Sequence, residues 1–162
     1  MSGRITAFEP VASPGARTLI LGSMPSVESL NRGFYYAHPR NAFWRILAQV
    51  YGEPFPEDVP ARIALLYRHD LALWDVLASC ERQGSLDSAI RQPVPNDFEG
   101  LFRRCPDIRR ILLNGGTAHR LFMKAGKPFL DGRDWAVMPS TSPAYTLSYE
   151  RKLAQWRQAL TL

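Results

Sequence analysis

Strand-like and helical segments alternate along this chain, which predicts a three-layer α/β/α fold with a central four-stranded, mostly parallel sheet. Three observations carry this prediction. Four short apolar runs, at residues 19–22, 69–75, 108–113 and 135–138, have the length of strands. The segments between them place apolar residues at helical spacing, and glycine or polar turns follow the runs. At 162 residues the whole chain forms one domain of ordinary size.

In the first half, a proline-containing extended segment at 8–16 leads into the first strand, and a short helical turn is predicted at 26–30. An amphipathic helix begins at Asn41 and ends where Gly52 supplies a C-cap. Pro60 lies in the first turn of the next helix, a position that proline favours.

In the second half, residues 81–95 are polar and are predicted to be mostly loop, with one helical turn near Ser88. Asn96 is expected to cap the following helix. The strand ending at residue 113 turns sharply into a helix that Gly126 closes, and a final helix carries an apolar stripe from residue 149 to residue 160.

Composition limits the class of protein. Hydrophobic residues make up 46% and charged residues 22%, as in a globular protein, and a net charge of +5 favours a polyanionic partner. The two cysteines, Cys80 and Cys105, exclude a four-cysteine metal site within one chain and predict buried reduced thiols. No stretch resembles a signal peptide or a membrane span, so we expect a cytoplasmic protein without a membrane partner.

Three polar turns follow predicted strands, at residues 22–26, 114–117 and 140–145. The carboxyl ends of parallel strands share one edge of a sheet, and ligands bind in the crevice beyond that edge. A dense group of aromatic, basic and amide residues at 35–41 follows the first turn. Each turn alone has an ordinary structural explanation, but their joint placement predicts a binding site.

The residue types in this group favour a nucleobase. Tyr35, Tyr36 and Phe43 offer stacking faces. His38 and Arg40 offer phosphate contacts. The Asn114 carboxamide, at a strand end, can accept from a ring N–H and donate to the neighbouring exocyclic oxygen. Uracil and hypoxanthine both present that edge, whereas adenine reverses it.

Four segments in this order resemble the uracil-DNA glycosylase superfamily, and most closely its hypoxanthine-DNA (DNA-deoxyinosine) glycosylase branch. The resemblance implies hydrolysis of the N-glycosidic bond of a deaminated base in base excision repair, with base flipping and with no lysine Schiff base, metal or cofactor. The segments are residues 22–26 (Gly-Ser-Met-Pro-Ser), 36–44 (Tyr-Ala-His-Pro-Arg-Asn-Ala-Phe-Trp), 114–116 (Asn-Gly-Gly) and 139–144 (Pro-Ser-Thr-Ser-Pro-Ala).

The chain departs from the wider superfamily at two positions. Met24 stands where the first motif usually carries an aspartate or asparagine, and Ser140 stands where a later motif usually carries a histidine. A thioether cannot position water, so the branch's pattern assigns that task to Asn41, which orients the water without acting as a base. Asp75, at a strand end, is kept as a reserve water-activating residue.

We therefore expect Asn41 to be catalytic. Tyr145 is either a wedge in the minor groove or the first residue of the final apolar stripe. The expected substrate-binding residues are Gly22, Ser23, Met24, Tyr36, His38, Phe43 and Asn114, and the expected DNA-binding residues are Arg40, Ser140, Ser142, Pro143, Ala144 and Tyr145.

The expected partner is double-stranded DNA containing a deaminated base, bound by a monomer. Two alternatives stay open on the sequence. A uracil-directed glycosylase would use the same amide edge, and Met24 and Ser140 are compatible with a DNA-damage-binding module that has lost catalysis. A small-molecule nucleotide-binding domain is less favoured because the chain has no Walker or Gly-x-Gly-x-x-Gly loop.

Overall fold

The computed structural model describes residues 4–161, which form seven strands and six α-helices. Two short 3₁₀ helices lie at Asp87–Ala89 and Lys127–Leu130. The strands are β1 (Arg4–Thr6), β2 (Thr18–Gly22), β3 (Leu71–Asp75), β4 (Leu77–Glu81), β5 (Arg91–Pro95), β6 (Arg110–Asn114) and β7 (Asp134–Met138). The helices are α1 (Val27–Arg32), α2 (Phe43–Tyr51), α3 (Val59–Arg68), α4 (Phe98–Arg104), α5 (Gly116–Ala125) and α6 (Tyr149–Leu160).

The predicted central sheet is confirmed: it has four strands, all parallel, in the order β3-β2-β6-β7. Strand β2 lies inside the sheet, and its leucine and isoleucine side chains are fully buried. Gly22 pairs with Asp75 on one side of β2, and Leu21 pairs with Leu113 on the other. The carboxyl ends of β2, β3 and β6 therefore lie at one edge, with Gly22 between Asp75 and Asn114.

A second, antiparallel sheet of order β1-β4-β5 corrects the prediction that residues 81–95 are mostly loop. The helical turn expected near Ser88 is present as the 3₁₀ helix Asp87–Ala89. Strand β5 contains two prolines, and all five of its residues are exposed. Proline is tolerated on an edge strand, so a composition typical of a loop is compatible with this strand.

Local capping explains where the helices begin and end. Gly52 ends α2 in the left-handed conformation, as predicted, with φ of 65°. Asn96, however, is not the cap of α4: the Asp97 side chain accepts the hydrogen bond from the Gly100 N–H. Asn96 instead donates from Nδ2 to the main-chain oxygen of Asp75 at 2.8 Å. Asn96 thereby holds the end of β3 next to the site.

Helices flank the sheet and bury its faces. Phe43 of α2 packs edge-on against Trp156 of α6, with ring centroids 6.1 Å apart, and both side chains are fully buried. Phe98 of α4 packs in the same manner against Phe122 of α5 at 5.0 Å. Cys80 and Cys105 are buried free thiols, as expected. Within residues 4–161, no helix is both long and apolar enough to cross a membrane.

Candidate active site

The three strand ends open into a cavity of about 550 Å³, a size typical of small-ligand pockets. The loops that follow β2, β6 and β7 contribute most of its walls, and the loop between β4 and β5 closes one side. Ten of the residues expected in the site line this cavity: Gly22, Ser23, Met24, Tyr36, Asn41, Asn114, Ser140, Ser142, Ala144 and Tyr145.

Four expected site residues lie elsewhere. Phe43 has no exposed surface and does not line the cavity, which corrects its expected contact with substrate. Its ring stacks on Tyr36, with centroids 4.2 Å apart and planes at 26°, so Tyr36 presents the aromatic face and Phe43 supports it. His38, Arg40 and Pro143 line a neighbouring groove of about 820 Å³. His38, expected to contact phosphate and to bind substrate, therefore lies in the groove and not among the residues that line the cavity.

Tyr36 is held in an unusual conformation. Its φ of 53° lies in the left-handed region, which costs a residue with a bulky side chain about 1–3 kcal/mol. Its hydroxyl is buried and has no hydrogen-bond partner among the described residues. Burial and the nearby Asp75 raise the pKa of Tyr36, and the neighbouring Asn114 amide only partly opposes this rise. Tyr36 is therefore a neutral phenol whose hydroxyl proton has no acceptor among the described residues.

The orientation of the Asn114 carboxamide is fixed by Thr141. The Thr141 main-chain N–H donates to Asn114 Oδ1 at 3.0 Å, and Asn114 Nδ2 donates to Thr141 Oγ1 at 3.1 Å. A main-chain N–H cannot accept, so these contacts determine which end of the amide is the oxygen. Oδ1 keeps one lone pair and Nδ2 keeps one N–H. The residue can therefore accept from one group of a ligand and donate to the next.

Asp75 lies across Gly22 from Asn114 and is only 3% exposed. Its Oδ2 is buried and unpartnered among residues 4–161. A Cβ atom on Gly22 would lie 2.6 Å from Asp75 Oδ1 and 2.9 Å from the Tyr36 hydroxyl, so only glycine permits this approach. Burial raises the pKa of Asp75 to about 7; the Arg82 charge opposes the shift and the Asp87 charge adds to it.

The loop between β4 and β5 is tied to the turn after β2. Ser23 Oγ donates to Asp87 Oδ1 at 2.9 Å, and the Val27 N–H donates to Ser85 Oγ at 2.9 Å. Arg82 is buried, and its Nη1 has no partner in the described part of the chain. Sequence reasoning missed this wall of the cavity. The one available signal was the polar run that follows a predicted strand end.

Asn41 lies where the cavity and the groove meet, because it lines both. Its Oδ1 accepts at 3.0 Å from the N–H of Phe43, two residues on and the first residue of α2, and its own N–H donates to the His38 oxygen at 2.9 Å. The Asn41 amide retains further donor and acceptor positions. Met24 is buried in the cavity wall and, as a thioether, offers no water ligand of comparable strength.

Lys152 of α6 holds the loop after β7 through hydrogen bonds to its main chain. The Lys152 ammonium donates to the Ser142 oxygen at 3.0 Å and to the Tyr145 oxygen at 2.8 Å, and burial lowers its pKa. Tyr145 itself is 48% exposed at the mouth of the cavity. Ser142 Oγ accepts from the Ala144 N–H at 3.1 Å, which leaves its hydroxyl proton for another acceptor. Sequence reasoning did not assign Lys152 a place in the site.

The groove beside the cavity is positively charged. Glu57 is the one carboxylate among the residues that line it, within the described chain. In residues 4–161 no three histidine, cysteine, aspartate or glutamate side chains come together as a metal site would require. The cations that line the groove are Arg32, Arg40, Arg45, Arg62 and Lys152.

Comparisons with known proteins identify the family of this chain. The model of the uracil DNA glycosylase superfamily matches residues 9–161. The chain is 34% identical to a hypoxanthine DNA glycosylase of Methanosarcina acetivorans over 154 residues, covering 92% of this chain and 93% of the relative. It is 32% identical to a hypoxanthine DNA glycosylase of Methanosarcina barkeri over 157 residues, covering 94% and 95%.

A solved structure extends the likeness to the fold. The solution NMR structure of a Methanosarcina acetivorans protein described as a uracil DNA glycosylase superposes with a TM-score of 0.82 at 32% identity, covering 97% of this chain and 96% of the other. The resemblance inferred from the four motifs is confirmed. The chain belongs to the uracil DNA glycosylase superfamily.

Proposed function

We propose that this protein is a monofunctional DNA glycosylase that releases hypoxanthine from deoxyinosine in double-stranded DNA and acts as a monomer. The observation that carries the proposal is the Asn114 amide, whose fixed orientation leaves one acceptor position on Oδ1 and one N–H on Nδ2 beyond its two hydrogen bonds with Thr141. Hypoxanthine offers the complementary N1–H and O6. Two relatives that match nearly the whole chain are hypoxanthine DNA glycosylases, which supports the same substrate.

The cavity accommodates a base only if the nucleotide leaves the duplex. Flipping costs a few kcal/mol, and the cost is smallest for a mispaired base such as hypoxanthine. In the cavity, the Tyr36 ring provides an aromatic face and its hydroxyl a hydrogen-bond donor. Bond cleavage places negative charge on the base, which the main-chain amides near Gly22 and Ser23 and the Asn114 side chain stabilise as in an oxyanion hole.

Asn41 orients the attacking water in this proposal. It stands at the junction of cavity and groove, where the sugar of a flipped nucleotide would connect the base to the DNA backbone. An amide cannot remove a proton near neutral pH, so Asn41 positions the water and does not activate it as a base. The developing positive charge on the sugar makes a strong base unnecessary.

The groove and the loop after β7 hold the DNA. Arg40 and the other groove arginines contact phosphates, and the hydroxyls of Ser140 and Ser142 add neutral phosphate contacts. Tyr145, half exposed at the cavity mouth, is the wedge that fills the gap left by the flipped nucleotide, supported by Pro143 and Ala144. The two buried thiols fit a reducing cytoplasm.

The direct test is single-turnover base release at excess enzyme and fixed salt. Matched duplexes carry one deoxyinosine, deoxyuridine or deoxyxanthosine, and alkaline strand cleavage reports the abasic site. We expect release of hypoxanthine to be fastest. Faster release of uracil would make this a uracil-directed enzyme, and binding of all three duplexes without release would make it a damage-binding module.

Asn41→Ala tests the water-orienting role. We expect base release to fall by at least about a hundredfold, with affinity for the deoxyinosine duplex nearly unchanged. Because Asn41 Oδ1 also accepts from the Phe43 N–H, Asn41→Ser is the matched control: serine keeps an acceptor oxygen near that N–H but not the carboxamide. Recovery of activity in Asn41→Ser, or an equal loss of binding and turnover in Asn41→Ala, would make Asn41 a structural residue.

A further inference from the structure

A buried carboxyl group in the cavity has no part in the mechanism above. Asp75 is 3% exposed, its Oδ2 has no partner among the described residues, and its other oxygen lies close to Gly22. The main chain of Asp75 is held by Asn96, whose Nδ2 donates to the Asp75 oxygen. The fold thus fixes this residue in the cavity wall and leaves Oδ2 buried without a hydrogen bond among the described residues.

Asp75 and Asn114 lie on opposite sides of Gly22, at the edge of the central sheet that lines the cavity. They end strands β3 and β6, which both pair with β2, so at about 4.8 Å per strand the two strand ends lie about 10 Å apart. Both side chains line the cavity. A purine whose N1–H and O6 face Asn114 turns its imidazole ring toward the Asp75 side. A pyrimidine has no atoms there.

The surroundings of Asp75 let it hold a proton up to about neutral pH. Burial raises its pKa to about 7, and Asp87 adds to the shift while Arg82 opposes it. The phenols of Tyr35 and Tyr36 remain neutral because burial and Asp75 raise their pKa values. The charged and titratable groups that surround the carboxyl or share its cavity are Arg82, Asp87, Tyr35, Tyr36 and Arg120.

We propose that protonated Asp75 is the general acid that donates its proton to N7 of the departing hypoxanthine. As the N9–C1′ bond breaks, its electron pair passes to the purine, and the carboxyl proton moves to N7, so the base leaves neutral. The water oxygen bonds to C1′ and its proton passes to solvent, from which the Asp75 carboxylate is reprotonated. The inference rests on the proposed function. It explains why the enzyme would prefer a purine, because a pyrimidine has no N7.

The pH dependence of single-turnover release from a deoxyinosine duplex tests this role. We expect the wild-type rate to fall about tenfold per pH unit above a break near neutrality. Asp75→Asn is expected to be at least about a hundredfold slower at pH 6 and to lack that break. Asp87→Asn is the matched variant: it removes the neighbouring negative charge, so the break should move to lower pH.

Two further measurements separate a catalytic role from a structural one. A duplex carrying non-cleavable 2′-fluoro-deoxyinosine should bind wild type and Asp75→Asn with equal affinity. A duplex carrying 7-deaza-deoxyinosine keeps the N1–H and O6 edge but has no N7, so it should bind normally and release base at least a hundredfold more slowly from the wild-type enzyme.

Each contrary outcome has a distinct meaning. Equal pH profiles for wild type and Asp75→Asn, or unchanged release from 7-deaza-deoxyinosine, would overturn the inference and leave the proposed function standing. Loss of binding by Asp75→Asn would assign Asp75 a structural role and overturn it as well. Failure of the wild-type enzyme to release hypoxanthine at any pH would overturn the proposed function itself.

Discussion

Replacing Asp75 by asparagine should stabilise the fold, and the gain should depend on pH. In the folded protein burial raises the pKa of Asp75 to about 7, whereas an aspartate in an unfolded chain titrates near pH 3.9. Between these values the native state holds a proton that the unfolded state has released. Stability therefore falls as pH rises through this window, by about 4 kcal/mol in total at about 1.4 kcal/mol per pKa unit.

Asparagine does not titrate, so Asp75→Asn removes this loss. The unfolding free energy of the variant minus that of the wild type should rise by about 3 kcal/mol between pH 4.5 and pH 7.5. Urea denaturation followed by fluorescence of the four tryptophans measures it at each pH. Asp131→Asn, at an exposed aspartate, is the control and should show no such trend. A constant difference between Asp75→Asn and wild type would mean that Asp75 is not protonated in the folded protein.

Three other substitutions probe the site. Asn114→Asp should slow hypoxanthine release by at least about tenfold in the single-turnover assay, because a carboxylate repels the negative charge that develops on the base as the bond breaks; unchanged release would remove Asn114 from the site. Gly115→Ala should lower the unfolding free energy by about 1–3 kcal/mol in urea, since φ is 101° and the new Cβ would lie 3.1 Å from Ser140 Cβ. Lys152→Met should weaken duplex binding by about tenfold through the loop it supports, whereas intact affinity in a filter-binding titration would separate that loop from DNA contact.

Most of the central sheet could be predicted because strands β2, β3 and β6 are buried on both faces. Runs such as Leu19–Leu21 and Ile111–Leu113 are apolar throughout, and this pattern is local to the sequence. Strand β5 could not be found in this way. Strand β5 contains Pro93 and Pro95, and all of its side chains are exposed. Its extended conformation is held by antiparallel pairing with β4. Pairing with β4 depends on tertiary structure, and no local pattern in residues 91–95 indicates it.

The location of the site was predictable for a topological reason, since parallel strands must end at a common edge. The roles of single side chains were harder to predict from the sequence. The choice between Tyr36 and Phe43 as the aromatic face depends on a positive φ at Tyr36, which only the surrounding structure imposes. The contact of Ser23 with Asp87 joins residues 64 positions apart, and sequence reasoning offered no means of pairing them.

Three buried side-chain atoms have no hydrogen-bond partner in residues 4–161, and all belong to this site or its wall: the Tyr36 hydroxyl, Asp75 Oδ2 and Arg82 Nη1. Each such atom costs about 1–3 kcal/mol, and a fold selected for stability alone would pair or remove them. A hypoxanthine base brings donors and acceptors on two edges and can pair with the tyrosine and the aspartic acid together. Leaving these groups unpaired costs the folded protein free energy, and binding of the base recovers it. The site should therefore favour a polar bicyclic ligand over an apolar ligand of equal size.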